Sequence, residues 1–298
     1  MVDNLKQLKG EKMKKVIMTM LMFLFTVQTY AVEKDISFYV GHGNGGGSAG
    51  MQTIIQQELK NKGWKVNFKV IGNCGKVINL METSDKPILA GWAADWNTSV
   101  DNVCYNPPTK KNFMRTFMNT PRLLCGPYDN LAFDLVPGQR YRVGVNQGQN
   151  HDVFLNSLGE KLNVDFKVIE YKNSGFIKRA MQAKEIDAWY TTAGLPQHAA
   201  KTQKCLYGTI AKEWQGVVPL NTLISTVNVN TSWIGFLLVN DKVDGALKRM
   251  LKQDLEDIIT SEDYRGRQAA AGFGDFITKD SDEAQISLIE DTTEAFKK

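Results

Sequence analysis

Histidine and cysteine are scarce in this chain, with three and four copies in 298 residues. His42, His151 and His198 form no i, i+4 pair and no HExxH, and Cys74, Cys104, Cys125 and Cys205 show no metal-ligand spacing. Zinc-type catalysis therefore finds no ligand set, and no metal is expected. Long apolar runs are also missing. Beyond residue 31 no stretch approaches the 18 or so apolar residues of a membrane-spanning helix. Nor is there a surplus of one charge sign. The 36 Lys and Arg face 32 Asp and Glu, but five of the Lys lie in residues 1–31, so residues 32–298 hold 31 basic and 30 acidic side chains. A chain this close to neutral lacks the basic footprint of a nucleic-acid binder, and no nucleic-acid partner is expected. What is present is an ordinary globular composition, at a length that favours two domains.

The N-terminus carries the most specific local signal. Met13-Lys14-Lys15 is a positive n-region, Val16 to Val27 is a twelve-residue apolar run, and Thr29 and Ala31 place small residues at −3 and −1 of a cleavage site. Residues 1–31 read as a secretory signal peptide cleaved after Ala31, with Met13 a better start than Met1. The run is too short for a bilayer core of about 30 Å. The mature chain is expected to be exported and soluble. Four cysteines suit an oxidising compartment and can pair in three ways. A Cys104–Cys125 bridge, across a loop-rich segment containing Pro107-Pro108, is the preferred pairing; four unbridged thiols are the alternative.

The remaining chain reads as one unit written twice. Ile36 to Val40 is strand-like and meets the glycine-rich stretch Gly41 to Gly50. A helical pattern follows, with Met51, Ile54, Ile55 and Leu59 on one face, ended by Asn61-Lys62-Gly63. Lys65 to Ile71 is a second strand, Lys76 to Met81 a short helix, and Ile88 to Ala90 a third strand. The second series starts near Arg142. It has a strand at Val143 to Asn146, a polar loop, and a helix burying Phe154, Leu155, Leu158 and Leu162. A strand at Asp165 to Ile169 follows, then a helix that Ser174 can cap, and the closing run Ala188-Trp189-Tyr190. The two second strands share letters, Val66-Asn67-Phe68-Lys69-Val70-Ile71 against Val164-Asp165-Phe166-Lys167-Val168-Ile169. Strand and helix alternating at this spacing indicate parallel βαβ units. Ile234 to Val239 is a strand that returns the chain to the first lobe. Asp241 is placed as the cap of a long helix, and a last helix runs from about Ser281 to Phe296. Two α/β lobes are expected, the first discontinuous.

Open parallel sheets bind ligands beyond the carboxyl ends of their strands. Those ends are Gly41 to Gly50, Gln147 to His151, Gly91-Trp92 and Thr191-Thr192. Backbone N–H groups at a helix N-terminus favour an anion. Neither loop contains Arg or Lys, so peptide amides, hydroxyls and side-chain amides are left to hold it. At about 1.5–3 kcal/mol each, three or four such bonds support a micromolar complex. Gly41 to Gly46 also satisfies GxGxxG, but the second strand ends Gly72-Asn73, without the acid that would hold a ribose, so a dinucleotide and any other cofactor are not expected. No GK[ST] follows, which excludes a P-loop. His151 invites a hydrolase reading beside Ser48 or Ser157, yet no third group orients it and no GxSxG elbow is present. Trp92 and Trp189 each sit at the end of a third strand, where one of them can wall the cleft.

In order along the chain, several motifs resemble those of the tripartite tricarboxylate transporter receptors, a family of periplasmic solute-binding proteins. Gly45-Gly46-Gly47-Ser48 resembles the family's glycine loop, and Asn146 to His151 its small polar loop ending in His. Tyr171-Lys172-Asn173-Ser174 resembles its Tyr-Lys-Gly-Gly turn, Ile186 to Tyr190 its third strand, and Thr231-Ser232-Trp233-Ile234-Gly235 its Ser-Trp-Phe-Gly crossover. The resemblance implies a type II-like periplasmic-binding-protein fold, with a mainly parallel sheet flanked by helices in each lobe. Residues 32–126 plus 236–298 would form lobe 1 and residues 127–235 lobe 2. It implies a periplasmic, non-enzymatic monomer that closes on a small organic acid and delivers it to integral-membrane permease subunits. A hydrolase, or an interaction protein reporting to a membrane sensor, is the alternative. Ligand contacts map onto Gly46, Gly47 and Ser48, with Gln147, Gln149, Asn150 and His151 opposite, and Trp92, Thr191 and Thr192 nearby. Thr191-Thr192 replaces the family's common Asp-Pro, Trp92 replaces a small residue, and the polar loop is shorter. These departures suggest an acid smaller or flatter than a tricarboxylate.

Overall fold

A computed structural model of the chain describes residues 32–41, 47–94, 104, 106–146, 151–172, 174–192, 198, 200–210, 212–224, 233–271 and 281–297. The expected signal peptide lies outside them. The first unit runs β1 (Asp35–Val40), α1 (Gly47–Asn61), β2 (Lys65–Val70), α2 (Cys74–Thr83), β3 (Ile88–Ala93). Then come β4 (Phe113–Thr120) and β5 (Leu123–Tyr128). The second unit is β6 (Arg140–Asn146), α3 (His151–Leu162), β7 (Asp165–Tyr171), α4 (Ser174–Gln182), β8 (Ala188–Thr191), β9 (Gln203–Gly208) and β10 (Val218–Pro219). The chain ends in β11 (Trp233–Val239), α5 (Gly245–Ile259), α6 (Glu262–Ala270) and α7 (Asp282–Lys297).

These strands form two sheets, ordered β2-β1-β3-β11-β4 and β10-β9-β5-β8-β6-β7. In the first, β1, β2 and β3 are parallel and β11 inserts antiparallel between β3 and β4. In the second, β6, β7 and β8 are parallel and β5 inserts antiparallel between β8 and β9. The duplicated order read from the sequence is therefore a duplicated topology. The look-alike strands β2 and β7 are both edge strands that alternate exposed and covered residues along much of their length. That half-buried place suits their shared alternation of Lys or Asp/Asn with Val and Phe.

Helices cover both faces of each sheet. On one face of the first sheet, Phe38, Val40, Leu89 and Leu237 pack with Met51, Ile55 and Leu59 of α1 and Leu251, Leu255 and Ile258 of α5. On the other, Ile88, Ala90, Trp92 and Phe236 pack with Val77 of α2 and Ile286 and Ile289 of α7. The second sheet repeats the scheme, α3 burying Leu155 and Leu158 on one face and α4 burying Ile177 and Met181 on the other. Burial on both faces is what makes these strands near-continuous apolar runs.

The crossing from sheet to sheet positions everything that follows. β4 runs parallel to β3 and ends at Thr120, opposite Trp233 at the start of β11. β5 begins at Leu123, opposite Thr191 at the end of β8. Only Pro121 and Arg122 lie between, a reach of about 10 Å when extended. The carboxyl edges of the two sets of parallel strands therefore meet at this corner.

Four sequence expectations need correction. The cysteines pair Cys74–Cys104 and Cys125–Cys205, not Cys104–Cys125. The reason is topological: Cys104 packs in the first sheet's core, whereas Cys125 lies past the sheet crossing, in register with Cys205 on β9. The segment between Cys104 and Cys125, read as loop-rich, holds β4 and the start of β5. Asp241 does not cap α5, which starts four residues later after a turn. Ser174 is the first residue of α4 rather than its cap, and its hydroxyl reaches Asn146 Oδ1 at 3.4 Å. The Cys125–Cys205 bridge closes a sequence separation of 80 residues, so removing it should cost about 2–5 kcal/mol. Thermal melting of a Cys125→Ala/Cys205→Ala variant is expected to fall by several degrees; an unchanged melt, or free thiols in the unreduced, denatured protein, would contradict the pairing.

Candidate functional site

On the first sheet, β1 leads into the glycine stretch and α1. Gly46 lies outside the described residues; Gly47 is the exposed first residue of α1, and Ser48 follows, buried. One turn on, Gln52 is fully buried and its Nε2 donates to Ser48 Oγ at 3.0 Å. The Gln52 carboxamide occupies the space beside Gly91 on β3, where a Cβ would collide with its Oε1, Cδ and Nε2. Three residues thus interlock at the carboxyl ends of β1 and β3: a hydroxyl, the amide that holds it, and the glycine that makes room. Trp92 points the other way, into the α2 and α7 side of the core, and is fully buried there.

On the second sheet, β6 leads to α3. Gln147, Gln149 and Asn150 lie outside the described residues. His151 opens α3 and is 2% exposed. Its ring stands edge-on to Tyr190 of β8, with centroids 5.3 Å apart, and Phe154, one turn along α3, stacks on the same tyrosine at 5.1 Å. Thr191 is buried at the end of β8, and Thr192 beside it is half-buried. Trp189, the other tryptophan considered for the cleft wall, is fully buried on the α4 side.

Arg122 completes this end of the second sheet. It precedes β5, is 1% exposed, and is clamped by Thr209, whose Oγ1 accepts from the Arg122 N–H at 2.8 Å and whose own N–H donates to the Arg122 carbonyl at 3.0 Å. Burial first, and then the positive charge of Arg122, push the His151 pKa well below the ordinary histidine value. His151 is therefore a neutral imidazole at pH 7, beginning a helix whose N-terminus also disfavours a cation.

The sequence reading named Ser48, His151, Thr191 and Thr192 at these strand ends, and passed over Gln52, Arg122 and Tyr190. Gln52 was legible as the polar i+4 neighbour of Ser48. Arg122 had no such signal without β4 and β5 on either side of it. Among the described residues, no group of three or more His, Cys, Asp or Glu is placed to hold a metal ion, and no helix is long and apolar enough to cross a membrane.

No family model matches the sequence, and no curated protein matches it either. Solved structures do match. An R. palustris protein solved with adipate superposes with a TM-score of 0.70 at 13% identity, over 89% of this chain and 95% of its own. MatC from Rhodopseudomonas palustris with bound malate gives 0.65 at 12% identity, over 90% and 99%. A TctC solute binding protein from Polaromonas gives 0.63 at 16%, over 90% and 98%. The chain has the two-lobed periplasmic-binding-protein fold. That fold is shared over nearly the full length of each neighbour.

Two measurements check the geometry. Gly91→Ala drives a methyl into Gln52 and should destabilise by about 1–3 kcal/mol in urea unfolding; an unchanged midpoint would mean that Gln52 simply swings aside. His151 titrates near 6.5 when unfolded and far lower when folded, so the unfolded state takes up the extra proton on acidification. The stability it contributes is complete above about pH 6.5 and is lost below it, at up to about 1.4 kcal/mol per pH unit. His151→Gln is expected to flatten the acid limb of a plot of Tm against pH; an unaltered slope would place the acid sensitivity elsewhere.

Proposed function

We propose that this chain is an exported, non-catalytic receptor that captures a small organic acid where the carboxyl edges of its two sheets meet, and delivers it to integral-membrane permease subunits. In this reading the first lobe holds β1–β4, β11 and the helices packed on them, and the second lobe holds β5–β10, so the divisions expected at 126/127 and 235/236 move to the crossing at Pro121-Arg122 and to the start of β11 at Trp233. Gly47 and Ser48 offer backbone and hydroxyl donors from the N-terminus of α1, and Gly46, which precedes them in sequence, is proposed to join them. Gln147, Gln149, Asn150 and His151, with Thr191 and Thr192, contribute the opposing face.

The observation that carries the reading is the two-residue crossing at Pro121-Arg122. It joins two sets of parallel strands at the carboxyl edges from which α1 and α3 start. Helix N-termini with free amide donors suit a carboxylate. Neighbours of the same fold solved with adipate and with malate support the ligand class.

Thermal melting against linear dicarboxylates, hydroxy acids, amino acids and aromatic acids tests this, with sugars and NAD as controls. Binding at one hundred times Kd adds about 2.7 kcal/mol and shifts Tm by several degrees. An acid is expected to shift the melt and NAD to leave it unmoved. Ser48→Ala is then expected to weaken calorimetric affinity about fivefold to tenfold. A protein silent to every acid, or one that turns the acid over, would contradict the proposal.

A further inference from the structure

Both loops that lead into α1 and α3 lack Arg and Lys, and among the described residues the buried side chains at these strand ends, Ser48, Gln52, His151, Tyr190 and Thr191, carry no formal charge at neutral pH. A positive charge nevertheless stands close enough to act on His151, supplied from a different part of the chain.

Arg122 lies between the last residue of β4 and the first of β5, where the chain crosses from the carboxyl edge of one sheet to that of the other. Its neighbour Leu123 is in register with Thr191 on one side and with Gly208 on the other. Thr209 grips its backbone from both the N–H and the carbonyl, so its Cα is fixed while the side chain projects from a rigid root. The guanidinium is withdrawn from water, with the residue only 1% exposed. Its field reaches the first residue of α3. A guanidinium stays protonated at any physiological pH and presents paired N–H donors that match a carboxylate. Withdrawn from bulk solvent, such a charge is screened far less than one on the surface.

We infer that Arg122 is the residue that selects an anionic ligand, meeting a carboxylate of the bound acid at the corner between the sheets, while His151 beside it supplies a neutral hydrogen-bonding group. This inference rests on the receptor reading above. It adds to that reading a full charge where the loops themselves supply none. An organic acid is then distinguished from its amide by the loss of an ion pair inside the protein, rather than by the weaker preference of helix amides. The neutrality of His151 fits the same arrangement, since two adjacent cations would oppose each other when the ligand is absent.

Calorimetry on the purified protein, with malate, adipate and any acid that shifts the melt, and with the corresponding amides, tests the assignment. The wild-type protein is expected to bind an acid and to reject its amide. Arg122→Gln is expected to lose at least about tenfold in affinity for the acid and to narrow the gap between acid and amide. Arg122→Lys, which keeps the charge without the paired donors, should fall between them. A wild-type protein that binds the acid while Arg122→Gln binds it equally well overturns the role of Arg122 and leaves the receptor reading standing. A wild-type protein that binds no acid overturns both. Should Arg122→Gln fail to fold, 15N-arginine labelling of the wild type gives the answer. The Nε–Hε resonance missing from the Arg122→Lys spectrum is expected to move on saturation with the acid, and an unmoved resonance overturns the assignment.

Discussion

The chain passes from its first sheet to its second through two residues, Pro121 and Arg122, and it makes that passage at the carboxyl edge of both sheets. Much else depends on this one constraint. Because β4 leaves at that edge, β5 must enter the second sheet running against β6, β7 and β8. β11 likewise enters the first sheet against β1, β2 and β3. Each sheet is thereby completed by an antiparallel strand that the chain brings in from the other. The first sheet cannot be assembled from one uninterrupted stretch of sequence, since β11 joins it only after all six strands of the second have been laid down. The Cys125–Cys205 bridge fastens this arrangement by tying the entering strand β5 to its neighbour β9.

The same corner sets the electrostatics. Parallel strands feeding helices on both faces place helix N-termini at the carboxyl edge, so partial positive charge collects there without any basic side chain in the loops. Arg122 adds a whole charge because the crossing itself has to pass through that edge. Burial and Arg122 together keep His151 neutral, so an uncharged imidazole opens α3, while α1 opens on the amide-held hydroxyl of Ser48.

The repeat of βαβ units was legible because each strand and helix carried its own periodicity, and β11 was visible as a hydrophobic run. What the sequence hid were the elements whose meaning depends on partners far away. Phe113 to Thr120 and Leu123 to Tyr128 have no alternating pattern, since each is buried along most of its length, on successive residues and not on alternate ones. With those strands unseen, Arg122 looked like an ordinary residue after a proline, and Cys104 and Cys125 looked like neighbours across a loop. Gly91 was read only as the end of a strand; that it makes room for Gln52 becomes apparent once α1 lies across β3. Ser48 and His151 were found because a helix N-terminus after a strand is a local signal.

A crystal structure of the protein with a bound organic acid measures the central claim most directly. The account expects the acid at the corner beyond Thr120 and Thr191, with carboxylate oxygens within hydrogen-bonding distance of the Arg122 guanidinium and of the N-terminal turn of α1. An acid seated anywhere else would contradict it, for instance in the surface hollow lined by Asn156, Gly159 and Asn163 toward the far end of α3.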